Sequence, residues 1–199
     1  MRQVLVLNGP NLGRLGVREP EVYGSATFED LAGECRAVAR KLGLRADVRQ
    51  TDDETELLRW VHEAADGRIP VVLNPAAFTH YSYALRDALA MRTAPLVEVH
   101  LSNPAARESF RHNSVVAGVA DGTIAGFGLM SYRLALEAIG ELVGPGEPGG
   151  AWKAGEPAGA GEAAGAGEAA GAGEAGESGG MGQPGGAGEL REPGGAGFR

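Results

Sequence analysis

Lysine is almost missing from this 199-residue chain, which contains only Lys41 and Lys153. Lys41 lies at the end of a predicted helix and Lys153 lies in a low-complexity segment, so neither is near a predicted ligand site. Imine chemistry, in which a lysine amine attacks a ketone, is therefore excluded. Cysteine is also scarce, since Cys35 is the only cysteine in the sequence. It excludes an internal disulfide and is typical of a protein in a reducing cytoplasm.

Long hydrophobic runs and excess positive charge are also lacking. No apolar run approaches the roughly 18 residues of a membrane helix, and no basic segment followed by an apolar one marks a signal peptide at the start. The 18 Lys and Arg residues are outnumbered by 26 Asp and Glu residues, giving a net charge of −8. We therefore expect a cytoplasmic protein that binds neither a membrane nor a nucleic acid.

The composition changes abruptly near Gly144. About two-thirds of the 33 glycines lie from there to Arg199, among Ala, Glu and Pro, and the segment has a net charge of −5 from three basic and eight acidic residues. Such a segment cannot bury enough apolar surface to offset the entropy lost on ordering. The sequence predicts a folded domain at 1–143 and a disordered tail at 144–199.

Before Gly144, apolar runs alternate with helical patterns. Strands are predicted at 3–7, 44–50, 69–74, 95–100 and 123–127, and helices at 27–42, 53–66, 81–91, near 104–110 and at 129–143. Thr27 with Asp30 is close to a capping box, and Gly43 is a stop signal. Alternating strands and helices predict an α/β fold with a parallel sheet covered on both faces. Because the second strand is less apolar, it is expected at an edge, in the order 2-1-3-4-5.

Polar side chains follow the strands at the carboxyl edge of this sheet, where open parallel sheets bind ligands. They are Asn8, Asn11, Asn74, His80, Asp87, Glu98, His100, Ser102, Asn103 and Arg111. Ordinary caps and turns explain any one of them, but not so many at one edge. We expect these side chains to form a site.

His100 and Glu98 lie two positions apart, on the same side of a strand. The carboxylate can therefore bind the imidazole and fix its tautomer, as in a general acid or base. A zinc site with His80 and His100 is the competing hypothesis. It needs a third ligand, and Cys35 lies on the apolar stripe of a helix. His62 and His112 are interpreted as structural or surface residues.

The loop NGPNLGRLGVREPEVYG at 8–24 follows the first strand, but its glycines match neither the dinucleotide spacing nor the P-loop. It carries Arg18 and Tyr23 instead. A tyrosine is a useful base at neutral pH only where a cation favours its phenolate, and Arg18 is five residues away. Either Tyr23 packs over the edge of the domain and Arg18 is solvated, or the loop closes over a small substrate.

Three segments now carry a resemblance: the 8–24 loop, NPAAFTHYSYALRDAL (74–89) and VEVHLSNPAARESFRHNS (97–114). In order and spacing they resemble the type II 3-dehydroquinate dehydratases. The resemblance covers residues 1 to about 143. It implies a flavodoxin-like three-layer sandwich, a homododecamer built as a tetramer of trimers, no cofactor, and the substrate 3-dehydroquinate of the shikimate pathway, which leads to chorismate and aromatic amino acids.

The resemblance also implies roles. Tyr23 would remove a C2 proton, Arg18 would keep Tyr23 ionised, and Asn11 would hold a water at the enolate. His100, oriented by Glu98, would protonate the departing C1 hydroxyl in an anti elimination. The implied substrate-binding residues are Asn74, His80, Asp87 (in a neighbouring subunit's site), Leu101, Ser102 and Arg111.

The sequence departs from the family pattern in two places. Ala76 stands where the family usually has glycine, and a positive φ would strain an alanine there. Ala117 and Gly118 replace a common Ser-Pro. Neither position carries an implied chemical role.

Two other functions use the same fold class. A flavin- or nucleotide-binding module would need a hydroxyl-rich phosphate loop after the first strand, but no Ser or Thr precedes Ser25. A non-catalytic scaffold that recruits partners with its acidic tail would not require Tyr23, His100 and Arg111. The sequence therefore favours the lyase.

Truncation after Gly144 is expected to leave a stable and fully active protein. The tail has few large apolar side chains, among them Trp152, Leu190 and Phe198, so it can bury little against the domain. The test compares kcat/KM, melting temperature and oligomer mass with those of the full chain. A loss of more than a few degrees, or a smaller oligomer, would show that the tail packs.

Overall fold

The computed structural model describes residues 1–17 and 25–144. Arg18 and Tyr23 of the predicted loop, and the predicted tail from residue 145 onward, lie outside the described residues.

Strands and helices alternate along the described chain. The strands are β1 (Arg2–Asn8), β2 (Leu44–Gln50), β3 (Val71–Asn74), β4 (Leu96–His100) and β5 (Gly122–Ala125). The α-helices are α1 (Phe28–Lys41), α2 (Glu54–Gly67), α3 (Tyr83–Ala90) and α4 (Met130–Val143). Each lies where the sequence predicts one, with ends that differ by at most two residues.

The short helix predicted near 104–110 is the exception. Two 3₁₀ helices, Pro104–Ala106 and Ser109–His112, occupy this segment. The backbone is extended between them at Arg107 and Glu108. Helices this short are marginal without strong packing, and both consist of partly or fully exposed residues.

The five strands form one sheet in the order β2-β1-β3-β4-β5, and each pair is parallel. The predicted topology and α/β class are confirmed. β1 is buried on both faces: Val4 and Val6 pack in one core cluster with α1 and α4, while Leu5 and Leu7 pack in the other with α2 and α3. This alternation follows from the two-residue period of a strand.

The start of α1 confirms the predicted capping box. The Asp30 backbone N–H donates to Thr27 Oγ1 at 3.2 Å, and the Thr27 N–H donates to Asp30 Oδ2 at 2.8 Å. The helix ends before Gly43, whose φ is +72°. Cys35 lies in the buried stripe of α1, and burial raises the pKa of its thiol to about 12.

The loops after β1 and β3 approach each other closely. The Gly9 N–H donates to the Asn74 carbonyl at 2.8 Å, and a Cβ on Gly9 would lie 2.6 Å from the Pro75 carbonyl oxygen. A side chain at position 9 would therefore push the two loops apart. In the described part of the chain, no helix is long and apolar enough to cross a membrane.

We expect Arg68→Gly to raise the stability of the fold. Arg68 caps the carboxyl end of α2 in the left-handed region, with φ of 52°, which costs about 1–2 kcal/mol for a residue with a Cβ. Glycine relieves this cost, but its greater freedom in the unfolded chain offsets about 0.4–1 kcal/mol of the gain. A rise in melting temperature of about 1–4 °C follows.

Arg68→Ala is the control, because it removes the same side chain but keeps the Cβ. An equal gain in Arg68→Ala would assign the effect to the lost guanidinium and not to the backbone.

Candidate active site

A cleft with a volume of about 110 Å³ opens at the carboxyl ends of β1, β3 and β4. It has room for several waters or one compact ligand. The lining residues are Asn11, Leu12, Leu15, Asn74, Ala76, Ala77, His80, His100, Leu101, Ser102, Pro104, Arg107 and Arg111. None of these is acidic, while two are arginines. The cleft therefore suits a small anion with polar groups.

Asn11 enters the cleft from the turn after β1. Its backbone is left-handed, with φ of 68°, and its N–H donates to Asp52 Oδ1 at 2.8 Å. Asparagine tolerates this conformation better than most residues. Asp52 also accepts from Gln50 Nε2 at 2.9 Å, so the carboxylate ties the turn to the end of β2.

His80 lies at the end of the 3₁₀ helix Ala76–His80. Its Nδ1 lies 2.8 Å from the Asn113 carbonyl oxygen. Because a carbonyl only accepts, Nδ1 carries the proton and Nε2 is the nitrogen left for a ligand. The ring also packs edge-on against Phe110, with centroids 5.7 Å apart.

Arg111 and Arg107 share one carboxylate, Glu108. Arg111 Nε lies 2.7 Å and Arg107 Nε lies 3.4 Å from Glu108 Oε2. The hydrogen bond from Arg111 lowers the pKa of Glu108 to about 2, so this carboxylate is ionised at neutral pH. Two cations and one anion leave one net positive charge at this wall of the cleft.

Glu98 and His100 form the hydrogen-bonded pair that the sequence predicts. His100 Nε2 lies 2.8 Å from Glu98 Oε1, and the Glu98 side chain is fully buried beneath the cleft. Burial acts to raise the pKa of Glu98, but its bond to His100, the charge of that ring and two hydroxyl bonds lower it overall. An ionised Glu98 accepts the proton on Nε2 of His100 and so fixes the orientation of the ring, with Nδ1 on the opposite side.

Hydroxyl groups surround the same carboxylate. Thr79 Oγ1 donates to Glu98 Oε1 at 2.5 Å, and Ser114 Oγ lies 3.3 Å from both carboxylate oxygens. Thr123 Oγ1 lies 3.4 Å from Oε2. Glu98 thus has polar partners on both oxygens despite its burial.

A second buried network supports Asn74. Tyr132 of α4 donates its hydroxyl proton to Asn8 Oδ1 at 2.6 Å and accepts from Asn74 Nδ2 at 2.8 Å. Burial raises the pKa of Tyr132 well above its usual range, so this phenol stays neutral. Asn74 Oδ1 accepts from the Ala76 N–H at 3.1 Å. One amide thus joins α4 to the turn after β3.

Comparison with known proteins relates this site to a family. The family described as Dehydroquinase class II matches residues 2–140 of the chain. The chain belongs to the class II dehydroquinase family. A 3-dehydroquinate dehydratase of Salinispora tropica is 63% identical over 134 residues, which are 67% of this chain and 94% of that protein.

Further relatives agree. The 3-dehydroquinate dehydratase 2 of Pseudomonas aeruginosa is 56% identical over 140 residues, covering 70% of this chain and 95% of that protein. The crystal structure of a type II dehydroquinase from Propionibacterium acnes matches with a TM-score of 0.70 and 56% identity, covering 71% of this chain and 97% of that chain. These names favour the dehydratase over a flavin- or nucleotide-binding module.

The described structure brings together most of the residues that the dehydroquinase resemblance implies. The cleft is lined by Asn11, Asn74, His80, His100, Leu101, Ser102 and Arg111. Glu98 lies behind His100 and does not line it. Asp87 is on α3, with its side chain 77% exposed and paired with Arg86 at 3.3 Å; its role toward a neighbouring subunit stays a prediction.

Other polar residues at the sheet edge have structural roles. Asn8 is fully buried, and its amide donates to the Val6 and Arg49 carbonyls. Asn103 caps the 3₁₀ helix Pro104–Ala106. His62 and His112 are exposed. Within residues 1–17 and 25–144, no three His, Cys, Asp or Glu side chains are grouped so that they could hold a metal ion.

Ala76, which stands where the family usually has glycine, has a positive φ of 50°. The bond from its N–H to Asn74 Oδ1 holds this turn in place. The second departure, Ala117 and Gly118, begins the 3₁₀ helix Ala117–Val119.

Sequence reasoning missed several residues of this region: Thr79, Arg107, Ser114 and Tyr132. Arg107 had a usable signal, since it precedes Arg111 by four residues in a segment predicted to be helical. The others had none, because Thr79, Ser114 and Tyr132 meet their partners only through packing between distant segments.

Tyr132→Phe is expected to lower the free energy of unfolding by about 2–3 kcal/mol, because the Asn8 and Asn74 amides each lose a buried partner. The melting temperature should fall by about 4–12 °C, and KM should rise as Asn74 loses its orientation. Tyr83→Phe is the matched control, since Tyr83 is 68% exposed. Equal melting temperatures for the two variants would contradict a role for the Tyr132 hydroxyl.

Proposed function

We propose that this protein is a 3-dehydroquinate dehydratase that eliminates water from 3-dehydroquinate to give 3-dehydroshikimate. The observation that carries this proposal is the buried Glu98–His100 pair at a cationic cleft, in a chain of the class II dehydroquinase family. Such a pair can supply a proton to a leaving group, which a dehydration requires.

His100 is the acid in this proposal. Glu98 holds the Nε2 proton, so Nδ1 is the ring nitrogen that gives a proton to the C1 hydroxyl as the C1–O bond breaks. The electron pair of the C2–H bond is first held in the enolate, and as water leaves it becomes the new C1–C2 double bond. That bond is conjugated with the C3 ketone. To close the cycle, the Tyr23 phenol releases the proton that it took from C2, and His100 takes up one proton.

Tyr23 is the base in this proposal. Its phenolate removes the C2 proton, and the guanidinium of Arg18 favours that phenolate. The resulting enolate is met by a water held by Asn11, whose left-handed turn is tied down by Asp52. The anti elimination that the family resemblance implies requires Tyr23 and His100 to act on opposite faces of the substrate ring.

Substrate binding uses the remaining groups of the cleft. Arg107, Arg111 and Glu108 together carry one net positive charge. Arg111 therefore suits the substrate carboxylate. Asn74, His80 and the Leu101–Ser102 segment would hold the carboxylate and hydroxyls. We further propose a cytoplasmic homododecamer, a tetramer of trimers, in which Asp87 reaches a neighbouring site, and chemistry without a cofactor.

The direct test follows the absorbance of the conjugated enone after 3-dehydroquinate is added to the full chain. Steady formation of the enone, in chelator-treated protein as well, supports the proposal. No enone above the uncatalysed rate would refute it.

The acid and base assignments are tested by a pair of variants. His100→Ala should lower kcat by about 10²–10⁴-fold, the usual contribution of a general acid, with KM little changed. Tyr23→Phe, which removes only the phenolic oxygen, should abolish nearly all turnover with the fold intact. Retained kcat in either variant would remove that residue from the mechanism.

Variants of Arg18 distinguish two roles for this residue: favouring the Tyr23 phenolate or binding the substrate. Arg18→Lys should be severely impaired, because an ammonium does not reproduce the planar donors of a guanidinium. A change in KM alone in Arg18→Ala would make Arg18 a binding residue and leave Tyr23 without its cation.

A further inference from the structure

We propose that Thr79 and Ser114 are positioning residues for the acid step, because their hydroxyls form a one-way hydrogen-bond relay that holds Glu98 against His100. This inference rests on the dehydratase function proposed above. Neither residue lines the cleft, so both would act through Glu98 and not by touching substrate.

The relay begins in the segment after the two 3₁₀ helices. Ser114 Oγ accepts from the Ala117 N–H at 2.9 Å and from the Val116 N–H at 3.2 Å. These two donors occupy the acceptor capacity of the hydroxyl. The Ser114 oxygen is thereby fixed, and its single proton must point away from its own turn.

That proton has one short acceptor. Ser114 Oγ lies 2.8 Å from Thr79 Oγ1, but 3.3 Å from either oxygen of Glu98. Thr79 then uses its own proton toward Glu98 Oε1 at 2.5 Å. Two backbone N–H groups, two hydroxyls and a carboxylate therefore form a chain in which each bond points the same way. Such chains polarise and strengthen their members.

Oε1 of Glu98 is where the relay meets the catalytic pair. It accepts from Thr79 at 2.5 Å and lies 2.8 Å from His100 Nε2. A proton on Oε1 would face two donors, so the geometry favours the carboxylate. The ionised form in turn holds the Nε2 proton of His100 and leaves Nδ1 directed to the reaction.

The charges around Glu98 are few. His100 is the titratable group on its own strand, and the hydroxyls of Thr79, Ser114 and Thr123 are uncharged. α3 packs on this face of the sheet with Arg86 and Asp87 exposed, and Asp121 before β5 pairs with Arg92. The cleft contributes His80, Arg107 and Arg111 beyond His100. Hydroxyl donors are therefore the neutral groups that directly stabilise the anion.

This arrangement sets the sign of the pH effect. The pKa of Glu98 is lowered overall despite the opposing effect of burial. Removing a hydroxyl donor raises that pKa, so Glu98 takes up a proton at a higher pH. The acidic limb of the kcat profile then moves upward, by about one pH unit for a hydrogen bond to a charged group.

The variants Thr79→Val, Thr79→Ser and Ser114→Ala test the relay in the full chain. Valine has the shape of threonine without the hydroxyl, and serine restores the hydroxyl. Thr93→Val is the matched control, because the Thr93 hydroxyl bonds the Ala65 carbonyl, which lies outside the cleft. Melting temperatures for all four show whether each variant is folded.

We expect Thr79→Val to lower kcat about 10–100-fold, the scale of a slightly misplaced catalytic group, with KM within about threefold and the acidic limb shifted upward. Ser114→Ala should show a smaller loss with the same shift. Thr79→Ser and Thr93→Val should stay within about threefold of the unmodified protein, which is less than 1 kcal/mol.

A double-mutant cycle of Thr79→Val with Glu98→Gln tests whether Thr79 acts on kcat through Glu98. Once the carboxylate is gone, Thr79→Val should cause no further shift of the acidic limb. A kcat and pH profile unchanged by Thr79→Val would overturn the proposal, as would a loss in Thr79→Ser equal to that in Thr79→Val. A full additional loss in the Glu98→Gln background would also overturn it.

The His100 ring provides a readout that needs no turnover. In ¹⁵N-histidine NMR titrations, the His100 signals are assigned by their absence in His100→Ala. These signals also respond to protonation of Glu98, and that response should move to higher pH in Thr79→Val. If the unmodified protein forms no enone but this shift appears, the dehydratase proposal fails and the relay stands. If the protein forms the enone but the shift is absent, the relay fails and the dehydratase proposal stands.

Discussion

A carboxylate that is fully buried in the sheet, Glu98, is the constraint on which the rest of the site depends. A buried charge is costly unless it is paired and hydrogen-bonded. Here the compensation comes from a histidine on the same strand and from hydroxyls on neighbouring segments. β4 must therefore end at the cleft, and the Ala76–His80 turn and the segment at Ser114 must meet beneath it.

The same constraint divides the polar residues of the sheet edge into two layers. The outer layer faces the cleft and includes His80, His100 and Arg111. The inner layer consists of buried groups whose hydrogen bonds are directed to one another, such as Tyr132 with Asn8. Asn74 joins the two layers, because it lines the cleft and also bonds Tyr132. The outer layer can offer free donors to a ligand because the inner layer fixes the strand ends that carry it.

Much of the fold could be predicted from the sequence because its signals are local. Apolar runs and helix caps give the elements, and the weak apolarity of β2 gives its edge position. The Glu98–His100 bond was also predictable, since both residues lie on one strand. The inner layer was not: Thr79 and Ser114 are 35 positions apart and Tyr132 and Asn8 are 124 apart. Such contacts follow from packing geometry, and no spacing rule reports them.

The bond between Tyr132 and Asn8 joins α4, the last helix among the described residues, to β1. During synthesis the chain emerges from its N-terminus at about 5–20 residues per second, so β1, β3 and β4 leave the ribosome before α4 does. Until α4 arrives, the amides of Asn8 and Asn74 have no phenol to meet. The cleft is therefore completed late, and a nascent chain would acquire this geometry only after α4 has been made.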